Sequence, residues 1–165
     1  MNEKNLKPAS VFYYFEEICK VPRPSKREEK IIAYLKAFGR KHGLETKTDE
    51  VGNVLIKKPA TPGKENLKTV ILQSHIDMVC EKNSDVEHDF LIDPIDTVVD
   101  GEWLKAKGTT LGADNGIGVA TELAILAATD IEHGPLECLF TVDEETGLTG
   151  AFALKPGFMT GDILI

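Results

Sequence analysis

At 165 residues, with 42% apolar and 28% charged side chains, the chain has ordinary globular composition and enough apolar material for a single core. Its 27 acidic residues against 19 basic ones leave a net charge of -8, which argues against nucleic acid and anionic membranes as partners and suits cation binding. The opening Met1 to Lys7 lacks the apolar segment of a signal peptide, no run approaches the roughly 18 to 20 apolar residues of a membrane span, and Cys19, Cys80 and Cys138 lack C-x-x-C spacing, so a soluble cytoplasmic protein with reduced thiols is expected.

Val11, Phe12, Phe15, Ile18 and Cys19 follow Ser10 at helical spacing, and Pro22 and Pro24 stop that helix. A second helix should start at Ser25 and Glu28, which form a capping-box pattern, and carry Ile31, Ile32, Leu35 and Phe38 as its apolar stripe toward a stop at Gly43. Leu44 to Lys57 reads as two strands about Gly52-Asn53, a region with no expected chemistry, and residues 59 to 66 read as a polar loop. Val70, Ile71 and Leu72 run without alternation, as in a strand buried on both faces, with His75 just past its end. An acidic loop region over 83–100 precedes a hairpin about Asp100-Gly101, a glycine-rich turn leads into a helix over about Asn115 to Ala128, and Leu136 to Val142 forms another strand. Strands interleaved with helices predict an α/β sandwich, with His75 and Glu144-Glu145 at the carboxyl rim of the sheet, where ligands gather. The apolar run Asp162 to Ile165 starts one more strand; the expectation is a truncated domain with a sheet edge open to self-association.

Three segments hold the chemistry: Ser74-His75-Ile76-Asp77, Gly112-Ala113-Asp114-Asn115-Gly116 and Asp143-Glu144-Glu145-Thr146-Gly147. On a strand, His75 and Asp77 share a face, so Asp77 either orients a metal-bound imidazole or merely satisfies a strand-end histidine. Asp114 either caps the following helix or bridges two cations through its two oxygens. Asp143, Glu144 and Glu145 are either a solvated acidic turn or a site where one glutamate binds metal and its neighbour addresses a water. Carboxylates converging without a cation would repel one another, and divalent metals remove that difficulty. Gly112, Gly116 and Gly118 do not make a dinucleotide fingerprint. His42, His88 and His133 read as surface residues, Asp85, Asp89, Asp93, Asp96 and Asp100 as solvated, and Cys80 has no triad partner.

Together the stretches VILQSHIDMVCEKN from Val70, KGTTLGADNGIGVA from Lys107 and TVDEETGLTGA from Thr141, with the N-terminal SVFYYFEEICKVPRPS, resemble the aminoacyl-histidine dipeptidases of the two-zinc peptidase and deacylase clan. Deacetylases of the clan follow H-x-D with Val-Pro where Met78-Val79 stand here, and tripeptidases usually carry lysine at the place of Gly116; the tripeptidases are the nearest alternative. The resemblance implies a three-layer α/β sandwich with a mixed, mostly parallel central sheet. It also implies two zinc ions, with His75 on one, Asp114 bridging and Glu145 on the other, Asp77 orienting the centre and Glu144 as general base for hydrolysis of Xaa-His dipeptides. A homodimeric full-length enzyme is expected, this chain being the N-terminal part of its catalytic domain, without the remainder and the lid or dimerisation domain. Each metal would then have two protein ligands here against the usual three, so the isolated chain is expected to bind zinc weakly and to be inactive or nearly so. A reading of another kind is a non-catalytic binding module that keeps the fold.

Overall fold

The computed structural model describes residues 6–165, so the first five residues of the leader reading lie outside it. A five-stranded sheet runs in the order β1 (Glu45–Thr48), β2 (Val54–Lys58), β6 (Leu136–Thr141), β3 (Val70–His75), β7 (Ile163–Leu164). The sheet is mixed: β1 to β2 and β2 to β6 are antiparallel, while β6 to β3 and β3 to β7 are parallel. A separate hairpin pairs β4 (Thr97–Asp100) with β5 (Trp103–Ala106).

Strand parity sorts the two faces of the sheet. Val54, Ile56, Cys138 and Phe140 point to the larger core, where they meet Phe15 and Ile18 of α1 (Ala9–Cys19), Ile31 and Leu35 of α2 (Glu29–Lys41) and Val119 and Leu123 of α3 (Ala113–Ala127). Leu55, Ile71 and Leu139 point the other way and are covered by Leu154, Phe158 and Met159, which follow the short α4 (Thr149–Phe152). Strand β6 is buried along its whole length, as expected of a central strand contacted on both faces.

Two local expectations need correction. His75 is the last residue of β3, paired with Thr141, because the ladder with β6 continues past the apolar run. The Ser25/Glu28 pattern makes no capping box: α2 begins at Glu29 with no side-chain cap hydrogen bond. The Ser25 hydroxyl donates to Asp77, and Glu28 accepts from the backbone N–H of Lys26 and of Asp143. Each side chain thus takes a partner at the rim of the sheet, Ser25 on Asp77 and Glu28 on the N–H of Asp143. No helix among the described residues is long and apolar enough to cross a membrane.

Candidate metal centre

The parallel pairing of β3 with β6 puts their carboxyl ends side by side, so the residues that follow each strand meet at one rim. There His75, Asp114 and Glu145 bring ligand atoms within 4.8 Å of one another. The His75 ring is buried; its Nδ1 lies 3.2 Å from Asp77 and its Nε2 faces the cluster, 3.1 Å from Asp114 and 3.8 Å from Glu144. If Nδ1 keeps its proton for Asp77, Nε2 presents a lone pair toward Asp114 and Glu145. Burial disfavours the charged imidazole, but hydrogen bonds with Asp77 and Asp114 outweigh it and raise the His75 pKa.

Asp77 is wholly buried and saturated with donors. Besides His75 it accepts the Ser25 hydroxyl at 2.7 Å and the backbone N–H groups of Glu144 and Glu145 at 3.0 and 3.2 Å. Burial alone would raise its pKa, yet these bonds bring it down to about 2. One carboxylate therefore fixes both the histidine and the turn that carries the two glutamates.

That turn is anchored from below. Asp143, in the left-handed region, is buried and accepts the hydroxyls of Thr146 and Thr149, so it faces away from the open cluster. Asn53, also buried, donates to Asp49 and to the carbonyl of Gly150 while accepting from the backbone N–H of Val142. The region read as having no chemistry thus braces the turn. Glu145 stays open to its neighbours: burial first, then the nearby Asp114, Glu144 and Asp77 charges, raise its pKa against the pull of His75.

Asp114 does not cap α3. The N-cap position is Gly112, no side-chain cap bond forms, and the Asp114 side chain is 87% exposed. Its backbone and that of Asn115 are non-helical, and the peptide between them is cis. Among the other candidates, Cys80 donates to the carbonyl of Met78 and has its thiol pKa raised by burial, which does not suit a nucleophile. His42, His88 and His133 are half-buried rather than exposed, and none belongs to a metal-ligand group among the described residues.

A cavity of about 280 Å³ opens on the centre, with Gln73, Asn115, Thr141 and Leu148 around His75, Asp114 and Glu144. A larger one, about 760 Å³, lies between residues 47–51 and 153–158 and shares no lining residue with it. There Lys155 is paired with Glu50 and Lys47 stands over the Phe158 ring, so its cations already have partners.

One imidazole and several carboxylates thus gather at the carboxyl rim of an α/β sheet, a donor set that could hold a divalent metal ion. Residues 71–162 match the peptidase family M20/M25/M40, and the chain belongs to that family. It is 51% identical over 160 residues to the cytosol non-specific dipeptidase of Escherichia coli (strain K12), covering 97% of this chain and 33% of that protein. The crystal structure of aminoacylhistidine dipeptidase from Vibrio alginolyticus superposes with a TM-score of 0.96 at 54% identity, over 99% of this chain and 34% of that one. A tripeptidase from Staphylococcus aureus follows at 0.78 and 25% identity, over 99% of this chain and 43% of that one. The chain thus spans about a third of the length of the dipeptidases it matches.

Proposed function

We propose that this chain is the N-terminal part of the catalytic domain of a zinc-dependent dipeptidase, and that its His75, Asp114 and Glu145 are metal ligands. The observation that carries the reading is the convergence of those three side chains within 4.8 Å beside Glu144. The donor set supports the fit: an imidazole with oxygen ligands suits zinc, and Asp114 and Glu145, with Glu144 beside them, repel one another unless a cation is present. Two divalent ions held there would polarise a peptide carbonyl and acidify water. Asp77 keeps the His75 ring oriented and its Nε2 turned to the cluster. Glu144, whose backbone N–H is tied to Asp77 while its carboxylate lies beside the cavity, takes the proton of the attacking water and returns it to the departing amine.

Dipeptides are the favoured substrates because the two relatives above 50% identity are both named dipeptidases, whereas the tripeptidase match stands at 25%. Preference for a C-terminal histidine follows the Vibrio relative; the Escherichia coli relative is called non-specific, so a panel of Xaa-His and Xaa-Ala dipeptides separates the two. A cytoplasmic setting and a homodimeric full-length protein belong to the same reading, the latter checked by light scattering. The 165-residue chain alone is expected to show little activity and weak zinc binding, since His75 with Asp114, and Asp114 with Glu145, give each metal two ligands. Two tightly held zinc ions per isolated chain in calorimetry would refute this. In the full-length protein, Glu144→Gln should lower kcat by about 10²- to 10⁴-fold with metal content unchanged, and full retention of activity would remove Glu144 from its role.

A further inference from the structure

Arg23 stands between two prolines, on no helix or strand, and is 3% exposed. Its guanidinium makes three hydrogen bonds to carbonyl oxygens: Nη1 donates to Ile76 at 3.2 Å and to Asp77 at 3.0 Å, and Nη2 donates to Gly112 at 2.5 Å. The first two carbonyls belong to the segment that leaves β3 directly after His75; the third lies two residues before Asp114. These segments are far apart in sequence, and Arg23 ties the stretch carrying one candidate ligand to the stretch carrying another.

The surroundings are arranged around this side chain. The Arg23 backbone docks on the same segment, its carbonyl accepting from the N–H of Met78, and Pro24 bridges to Met78. Two glycines leave room for the guanidinium: a Cβ on Gly112 would lie 2.5 Å from Nη2, and one on Gly116 would lie 2.7 Å from it. Gly112 also has φ +68°, which suits glycine, so two of the glycines that flank Asp114 serve the approach of Arg23. The rigid fork of an arginine can reach three carbonyls from one planar group, whereas an ammonium is a single point of attachment.

We propose that Arg23 is a positioning residue of the metal centre: by clamping the carbonyls of Ile76, Asp77 and Gly112 it sets the separation of His75 from Asp114. The inference rests on the metal-centre reading above for its functional consequence, and on the clamp geometry alone for its structural one. A residue that merely holds the core together would loosen the sheet evenly; a clamp between two loops loosens those loops.

The test is Arg23→Lys in the full-length protein, followed by amide hydrogen exchange and by zinc affinity in chelator competition. Exchange is expected to accelerate over residues 76–80 and 109–118 while β2 and β6 keep their protection, and zinc affinity to fall about 10- to 100-fold, the range typical of groups that hold metal ligands in place. Adding Arg23→Lys to a His75→Ala background should cost little further affinity. Protection lost evenly through β2, β3 and β6 with zinc affinity within twofold of the parent would overturn the proposal. Should Arg23→Lys fail to fold, Arg23→Gln keeps a planar amide whose two N–H donors reach fewer of the three carbonyls, and the same selective pattern is expected from it. A parent protein that needs no metal would refute the function proposed above, while the exchange pattern would still decide whether the clamp exists.

Discussion

Two groups of three side chains lie at the same rim, and they differ in who satisfies their carboxylates. Glu28, Asp77 and Asp143 bring their oxygens within 4.8 Å of one another and are all buried; His75, Asp114 and Glu145 are just as close, but only the histidine is buried. In the closed group every carboxylate takes protein donors: Asp77 from Ser25, His75 and two backbone N–H groups, Asp143 from two threonines, Glu28 from two backbone N–H groups. In the open group Asp114 accepts, among the described residues, at most from His75, and its side chain lines the cavity. Proximity alone therefore does not separate the two groups; what separates them is that the closed group's oxygens already have protein donors while the open group's carboxylates keep spare acceptor capacity. The closed group is the foundation on which the open one stands, since Asp77 belongs to the first and binds His75 of the second.

The largest expected effect comes from breaking that shared member. Asp77→Ala leaves two backbone N–H groups, a hydroxyl and an imidazole without their acceptor inside the protein, and loss of about 3 to 5 kcal/mol is expected in denaturant unfolding. The same carboxylate sets an acid limb. Its pKa is lowered from 3.8 to about 2, so the stabilisation is present above 3.8 and is lost as the pH falls through about 2. A loss of about 2 kcal/mol is expected across that window, and Asp77→Asn should remove that part of the pH dependence. An unchanged acid limb in Asp77→Asn would show that the closed group is not held as described.

Glu122 sharpens the comparison, being a buried carboxylate with fewer and weaker donors than those of the closed group. It sits on α3, 3% exposed, with one oxygen lacking any partner among the described residues. Burial pushes its pKa well above the usual 4.5, with Ser74 and Cys138 offsetting only part. The sign is opposite to that of Asp77: its contribution is fully present below about 4.5 and is lost as the pH rises toward the native value. Above 4.5 the stability of the parent should fall with rising pH relative to Glu122→Gln, read from urea midpoints along a pH series. Parallel pH curves for the two proteins would mean that Glu122 is ionised in the fold.

Much of this arrangement was legible in the order of residues. The apolar runs Val70 to Leu72 and Leu136 to Val142 marked the two parallel strands, and the ligand-type residues at their ends fall at one rim because parallel neighbours end on the same side. What was not legible is the direction in which short polar side chains turn. Ser25 and Glu28 have the spacing of a capping box, but that spacing is blind to acceptors and donors brought in from 52 and 115 residues away. Taken alone, Asp114 reads first as a helix cap, and the non-helical backbone of Asp114 and Asn115, with no side-chain cap bond, shows that the helix begins without its help. The role of Arg23 is not legible either, because nothing in its local sequence reveals three carbonyls converging on it from distant loops.

The smallest change in stability should come from the open group, and there the two kinds of carboxylate part most clearly. Glu145 is held by its backbone N–H to Asp77, while its side chain meets partial burial and the repulsion of Asp114, Glu144 and Asp77 against the attraction of His75. Glu145→Gln removes one charge from that repulsion and no buried acceptor, so unfolding free energy without metal should change by no more than about 0.5 kcal/mol, and toward greater stability. Zinc affinity of the full-length protein should nevertheless fall by at least about 10-fold, because an amide oxygen is a poorer ligand than a carboxylate. The pairing of the two measurements is the point of the experiment: Asp77→Ala loses fold and metal together, whereas Glu145→Gln should lose metal alone. A Glu145→Gln protein that is destabilised by several kcal/mol, or that holds zinc as tightly as its parent, would remove Glu145 from the proposed ligand set and leave the open group with His75 and Asp114 as its candidates.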